Sequence, residues 1–120
     1  GGAIVAISSI GATRAMPYYA AVGASKAALE ALVRSLAFEL APRGIAVNAV
    51  SGGVLETGAL DHYPERDRLL AWARERTPTG RLVTPEELAA VVAWLCTAEA
   101  RPIRGQTIVV DGGLTLGGLE

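Results

Sequence analysis

Ile45-Ala46-Val47-Asn48-Ala49-Val50-Ser51-Gly52-Gly53 is the stretch around which the rest of the chain arranges itself. Residues 45–50 are apolar except for Asn48, too short for a buried helix and rich in β-branched side chains, so they read as a buried strand. Gly52 and Gly53 follow at the carboxyl end of that strand, the edge at which ligands bind in open α/β sheets. Working towards the N-terminus, Pro42-Arg43-Gly44 stops a long helix running from about Tyr18 to Ala41. Leu29, Leu32, Val33, Leu36 and Leu40 repeat at helical spacing and form its expected core stripe. Before it come a loop over 9–17, with Gly11 and Pro17, and an apolar run over 3–8 ending in Ser8-Ser9. That run is expected to be a strand buried on both faces.

Towards the C-terminus, a loop passes through Thr57 to about Asp61, and a polar helix over 64–76 closes at Thr77-Pro78-Thr79-Gly80. Thr84-Pro85-Glu86-Glu87 combines a cap residue, a proline at the first helical position and a glutamate at the third, and starts a helix over 85–98. Residues 106–111 form a third strand, ended by Gly112-Gly113. Strand–helix–strand–helix–strand predicts parallel pairing through right-handed crossovers, hence an α/β fold that is one half of a doubly wound sheet.

Composition removes several functions. Net charge is −1 over 120 residues, with acidic and basic side chains mixed, so no nucleic-acid or membrane-surface footprint is present. No apolar run reaches the ~20 residues of a membrane span. The single cysteine, Cys96, excludes a disulfide framework and is expected to be a small core residue of a cytoplasmic protein. No cluster of metal-ligating side chains occurs. The chain opens at Gly1 almost directly on a strand, so it is expected to be the later part of a longer protein.

Lys26 is the only lysine; the other ten basic residues are arginines. It lies seven residues after Tyr19, nearly two helical turns, so phenol and ammonium share one face. Such a pair can polarise a substrate oxygen beside a cofactor. Lys26, Glu30 and Arg34 at i, i+4, i+8 are also what a solvated helix stripe would look like.

Five segments taken together resemble the second half of the short-chain dehydrogenase/reductases: Ile7-Ser8-Ser9, Ala24-Ser25-Lys26-Ala27-Ala28-Leu29, Ile45-Ala46-Val47-Asn48-Ala49-Val50, Arg104-Gly105-Gln106 and Val109-Val110-Asp111-Gly112-Gly113. In the keto-reducing branch of that family the catalytic tyrosine stands four residues before the lysine, where this chain has Val22. The seven-residue spacing from Tyr19 resembles the enoyl-acyl-carrier-protein reductases of fatty-acid elongation. The run Val50-Ser51-Gly52-Gly53-Val54-Leu55-Glu56-Thr57 resembles their third, NADPH-using bacterial type.

The resemblance implies a set of roles. Tyr19 donates to the enolate oxygen that develops when hydride reaches the enoyl Cβ. Lys26 holds the nicotinamide ribose hydroxyls and places positive charge beside the phenol. Ser9, seventeen residues before Lys26, stands where the keto-reducing branch has its catalytic serine, and is either an oxygen-positioning donor or a strand-end hydroxyl. Gly52 and Gly53 let backbone approach the nicotinamide or simply make a turn. Val54 and Leu55 meet the carboxamide and ring, Thr57 meets a pyrophosphate oxygen, and the loop through Leu60, His62 and Tyr63 covers the substrate. The implied cofactor is NADPH, with NADH the alternative, and the substrate is an enoyl thioester on acyl carrier protein or coenzyme A.

Residues 1–120 would then be the C-terminal part of a single domain whose nucleotide-binding half lies upstream, since no Gly-x-x-x-Gly-x-Gly run occurs. The small residues Ala20, Ala21, Gly23, Ala24, Ala27, Ala28 and Ala31 predict that helix 18–41 packs on a second subunit as a homo-oligomer contact. Two other readings stand beside the enoyl reductase: a 3-ketoacyl or other keto/alcohol oxidoreductase with unusual spacing, and a non-catalytic fragment, inactive alone.

Overall fold

The computed structural model describes residues 1–118, in the order β1 (Gly2–Ser9), α1 (Ala20–Leu40), β2 (Ile45–Gly52), α2 (Arg66–Arg76), α3 (Pro85–Leu95) and β3 (Thr107–Val110). Short 3-10 turns punctuate the loops, at Ile10–Ala12, Gly58–His62 and Leu114–Leu116 among others. The three strands form one parallel sheet, β1-β2-β3, with Gly2 opposite Ile45 and Ala49 opposite Thr107. This is the α/β architecture expected from the alternation of elements.

β2 is the centre because its whole sequence is compatible with burial on both faces; every residue from Ala46 to Gly52 is buried. Side chains alternate across a strand. Val47 and Ala49 pack with Val33 and Ala37 of α1, while Val50 joins Leu88 and Leu95 of α3 on the opposite face. Asn48, the polar interruption, is buried but satisfied: its amide donates to the Ile103 carbonyl at 2.8 Å and its oxygen accepts from Gln106 N–H at 3.0 Å.

β1 departs from expectation. It is apolar like β2, but Ile4 and Ile7 are each 46% exposed and only Ser8 is buried. The reason is position: among the described residues β1 pairs on one side only, so its side chains are covered from one flank. The α1 stripe also shifts. Leu32 is 52% exposed, while Ala37, one turn after Val33, joins Val33 in the buried cluster with Leu36 and Leu40 packed against it. Cys96 is exposed, not core, because α3 ends at Leu95 and the cysteine sits on its C-cap.

The punctuation behaves as its chemistry demands. Gly44 adopts φ 73°, the left-handed conformation glycine tolerates. Thr84 and Glu87 form a reciprocal capping box. No helix among the described residues is long and apolar enough to cross a membrane.

Candidate active site

The carboxyl ends of β1 and β2 open into a cavity of about 520 Å³. Its walls contain every residue given a catalytic or cofactor role above: Ser9, Tyr19 and Lys26 from the end of β1 and α1, and Gly52, Gly53, Val54, Leu55 and Thr57 from the end of β2 and the loop after it. The covering loop closes the rim with Leu60, His62 and Tyr63.

Tyr19 is the N-cap of α1, and its carbonyl accepts the N–H of Gly23 at 2.7 Å. Its hydroxyl donates to Ser9 Oγ at 3.0 Å. Ser9 caps the 3-10 turn that follows β1, with Oγ accepting the N–H of Gly11 at 3.1 Å. Ser9 therefore accepts twice, and its own O–H is left to donate elsewhere. Tyr18, adjacent in sequence, also borders the cavity, but it is 71% exposed with φ 59°, and the hydroxyl that reaches Ser9 is that of Tyr19.

Nearly two turns beyond Tyr19 along α1, Lys26 Nζ donates to the Ile7 carbonyl at 2.9 Å. Ser8 Oγ donates to Glu30 Oε1 at 3.1 Å. The stripe of Lys26 and Glu30 thus faces the end of β1 and is not a solvated surface pairing. The line that packs inward is Tyr19, Gly23, Lys26, Glu30 and Val33; Val22 borders the cavity but is 43% exposed. An ammonium has three donors. With one given to Ile7, two remain for a vicinal diol, which fits a nicotinamide ribose.

Gly52 and Gly53 have a reason that spacing could not show. A Cβ on Gly53 would sit 2.9 Å from Asp111 Cβ, and one on Gly52 would sit 3.2 Å from Leu55 Cδ1. The room is taken by the protein's own side chains. Asp111 is buried and accepts from Gly113 N–H at 2.9 Å, Thr115 N–H at 2.9 Å and Thr115 Oγ1 at 2.6 Å. Burial alone would raise its pKa; these hydrogen bonds outweigh it and hold the carboxyl below its ordinary value.

The covering loop is tied across the cavity by Tyr63, whose hydroxyl donates to the Pro17 carbonyl. Its phenol is held above the ordinary tyrosine value by burial first, then by the negative charge of Glu65. His62 is exposed at the rim. No group of three metal-ligating side chains occurs among the described residues.

Sequence reading missed Gly11 and Gly23 as parts of the site. Both touch the Tyr19 ring or its support, and nothing in their spacing distinguishes them from loop and helix-surface glycines.

Comparison with known proteins identifies the family. A family model described as enoyl-(acyl carrier protein) reductase matches residues 1–115. The chain is 44% identical over 118 residues to 1-cyclohexenylcarbonyl-CoA reductase of Streptomyces collinus, covering 97% of this chain and 42% of that protein. It is 37% identical over 120 residues to enoyl-(acyl-carrier-protein) reductase (NADH) of Escherichia coli K12, covering 100% of this chain and 46% of the relative. The crystal structure of the Bacillus cereus enoyl-acyl carrier protein reductase with NADP+ and indole naphthyridinone superposes with a TM-score of 0.94 at 35% identity, covering 99% of this chain and 46% of that one. The chain thus spans less than half the length of the relatives it matches. It belongs to the enoyl-(acyl carrier protein) reductase family of short-chain dehydrogenase/reductases.

Proposed function

We propose that this chain is the catalytic half of an enoyl-thioester reductase. The observation that carries the reading is the joint placement of Tyr19, Ser9 and Lys26 in one cavity, with a valine at position 22, where a keto reductase would hold its phenol. A bound reduced nicotinamide supplies hydride to the enoyl Cβ. Tyr19 O–H donates to the thioester oxygen, where negative charge collects. Lys26 fixes the ribose with its two uncommitted donors and sets positive charge near the phenol. Ser9 orients the Tyr19 hydroxyl.

Gly52, Gly53, Val54, Leu55 and Thr57 form the nicotinamide-side wall. For Gly52 and Gly53 the role is indirect, through the tight packing of Leu55 and Asp111 behind them. NADPH is the proposed cofactor, on the resemblance of Val50–Thr57 to the third bacterial type; the names of the relatives carry both NADH and NADP+. The substrate class is an enoyl thioester on acyl carrier protein or coenzyme A. A pyrophosphate-binding half lies outside residues 1–120, so the segment is the C-terminal part of one domain and is inactive alone. We place the enzyme in the cytoplasm. Leu32 at 52% and Phe38 at 86%, large apolar side chains left uncovered on α1, support a homo-oligomer contact through this helix.

The test is oxidation of NADPH and of NADH with crotonyl and acetoacetyl thioesters, run on this chain and on the chain joined to its nucleotide-binding half. Turnover of the crotonyl thioester only in the joined form is expected. Turnover of the acetoacetyl thioester instead would move the assignment to a keto reductase, and inactivity of both forms would leave a non-catalytic fragment.

A further inference from the structure

We propose that Gly11 and Gly23 are positioning residues that set how far the Tyr19 phenol reaches into the cavity; this rests on Tyr19 being the proton donor. Gly11 lies in the 3-10 turn after β1, and the Tyr19 ring lies directly against its Cα. A Cβ there would stand 2.2 Å from Tyr19 Cε2 and 2.3 Å from Cδ2. Gly23 closes the other side. A Cβ on it would stand 2.7 Å from the Gly11 carbonyl oxygen and 3.6 Å from Tyr19 Cδ2.

Neither glycine has a positive φ, so backbone freedom is not why a side chain is missing. What is required is room. The helix comes down on the turn at Gly23, the turn is pressed under the phenol at Gly11, and Gly11 N–H also fixes Ser9 Oγ, the acceptor of the Tyr19 hydroxyl. Gly11 therefore meets Tyr19 at both ends, at the ring by contact and at the oxygen through Ser9.

An alanine at 11 would have to push the ring by more than an ångström to reach the 3.4 Å at which ordinary contact begins. Displacements of about 1 Å at a reacting group cost on the order of a hundredfold in rate. The effect belongs to the reacting geometry, so it falls on kcat and leaves the KM for the nicotinamide cofactor in place.

The experiment is a double-mutant cycle in the complete enzyme, with crotonyl thioester as substrate. Gly11→Ala should lower kcat about a hundredfold with the cofactor KM unchanged. In a Tyr19→Phe background the same substitution should cost less than threefold, because the group it displaces no longer donates. Gly23→Ala, whose Cβ would clash with the Gly11 carbonyl but meet the Tyr19 ring only at the ordinary contact distance of 3.6 Å, should lower kcat less than Gly11→Ala, and its loss should also vanish in the Tyr19→Phe background. An equal penalty for Gly11→Ala in both backgrounds would overturn the proposal by making the effect structural. So would loss of the folded state, read by thermal melting, in both glycine variants. Full activity of Tyr19→Phe itself would instead sink the assignment of the donor, a different and separable failure.

Discussion

On the helix side of the cavity, Tyr19 rests on Gly11, Gly23 abuts the Gly11 carbonyl and Lys26 grips the carbonyl of Ile7. On the covering side, residues 54–76 are held by side chains. Val54, Leu70 and Ala73 pack on Ile10 and Leu114, Tyr63 reaches Pro17, and Glu56 pairs with Arg66 and Arg74 on the surface. The first wall is built from contacts between rigid backbone and ring; the second depends on long side chains that can change rotamer. That division suits the chemistry. In the proposed reaction a proton donor has to be placed to a fraction of an ångström, whereas a wall against the acyl group has to admit and release it. The start of α2 fits this view: its N-cap, Glu65, sits at φ 58° with no side-chain capping bond.

The largest effect on the covering wall should come from Leu70→Ala. Leu70 is 3% exposed at the centre of the cluster beneath the loop. Removing it should cost roughly 2–5 kcal/mol in chemical denaturation. A loss under about 1 kcal/mol would mean that the covering segment contributes little to the fold.

Next comes Asp111, which backs Gly53. Asp111→Asn keeps the size but replaces one of the two acceptor oxygens with an NH2 donor, so the donors on that oxygen lose their partner, and it should cost about 1.5–3 kcal/mol. The carboxyl is held below its ordinary value when folded. Its contribution is therefore complete above the unfolded value of about 4 and is lost as pH falls through the lower folded value. Acid denaturation of the Asn variant should show a shallower loss of stability below about pH 4. An unchanged acid limb would contradict the assignment.

Much of this contrast was legible in the sequence, but unevenly. β2 could be read from its own residues because it is buried whatever surrounds it. β1 carries an equally apolar run and yet leaves Ile4 and Ile7 half-exposed, since burial there depends on neighbours and not on composition. The Thr84–Glu87 capping box and the Gly44 stop are local devices and were readable as such. The candidate site residues were found by spacing and resemblance. The reasons for Gly11, Gly23, Gly52 and Gly53 were not, because each is small on account of a residue distant in sequence or facing it across a turn. Leu32 and Cys96 misled for the same reason: periodicity gives a face, and tertiary packing decides its centre.

Two smaller effects sharpen the comparison. Tyr63→Phe removes the tether to Pro17 and should cost about 0.5–1.5 kcal/mol. It should appear as a raised KM for the thioester with kcat nearly unchanged, and a fall in kcat alone would place Tyr63 in the chemistry. Glu56→Ala breaks exposed pairs with Arg66 and Arg74 and should change stability by less than about 1 kcal/mol. A larger change would mean that surface charge, and not the Leu70 cluster, holds the covering segment.

The most direct test compares Tyr19→Phe with Tyr18→Phe in the complete enzyme, measuring single-turnover oxidation of the nicotinamide by crotonyl thioester and cofactor binding by fluorescence. The account predicts a rate loss of about 10²–10⁴-fold for Tyr19→Phe with cofactor binding retained, and near-normal turnover for Tyr18→Phe. Normal turnover by Tyr19→Phe, or a loss confined to Tyr18→Phe, would contradict it.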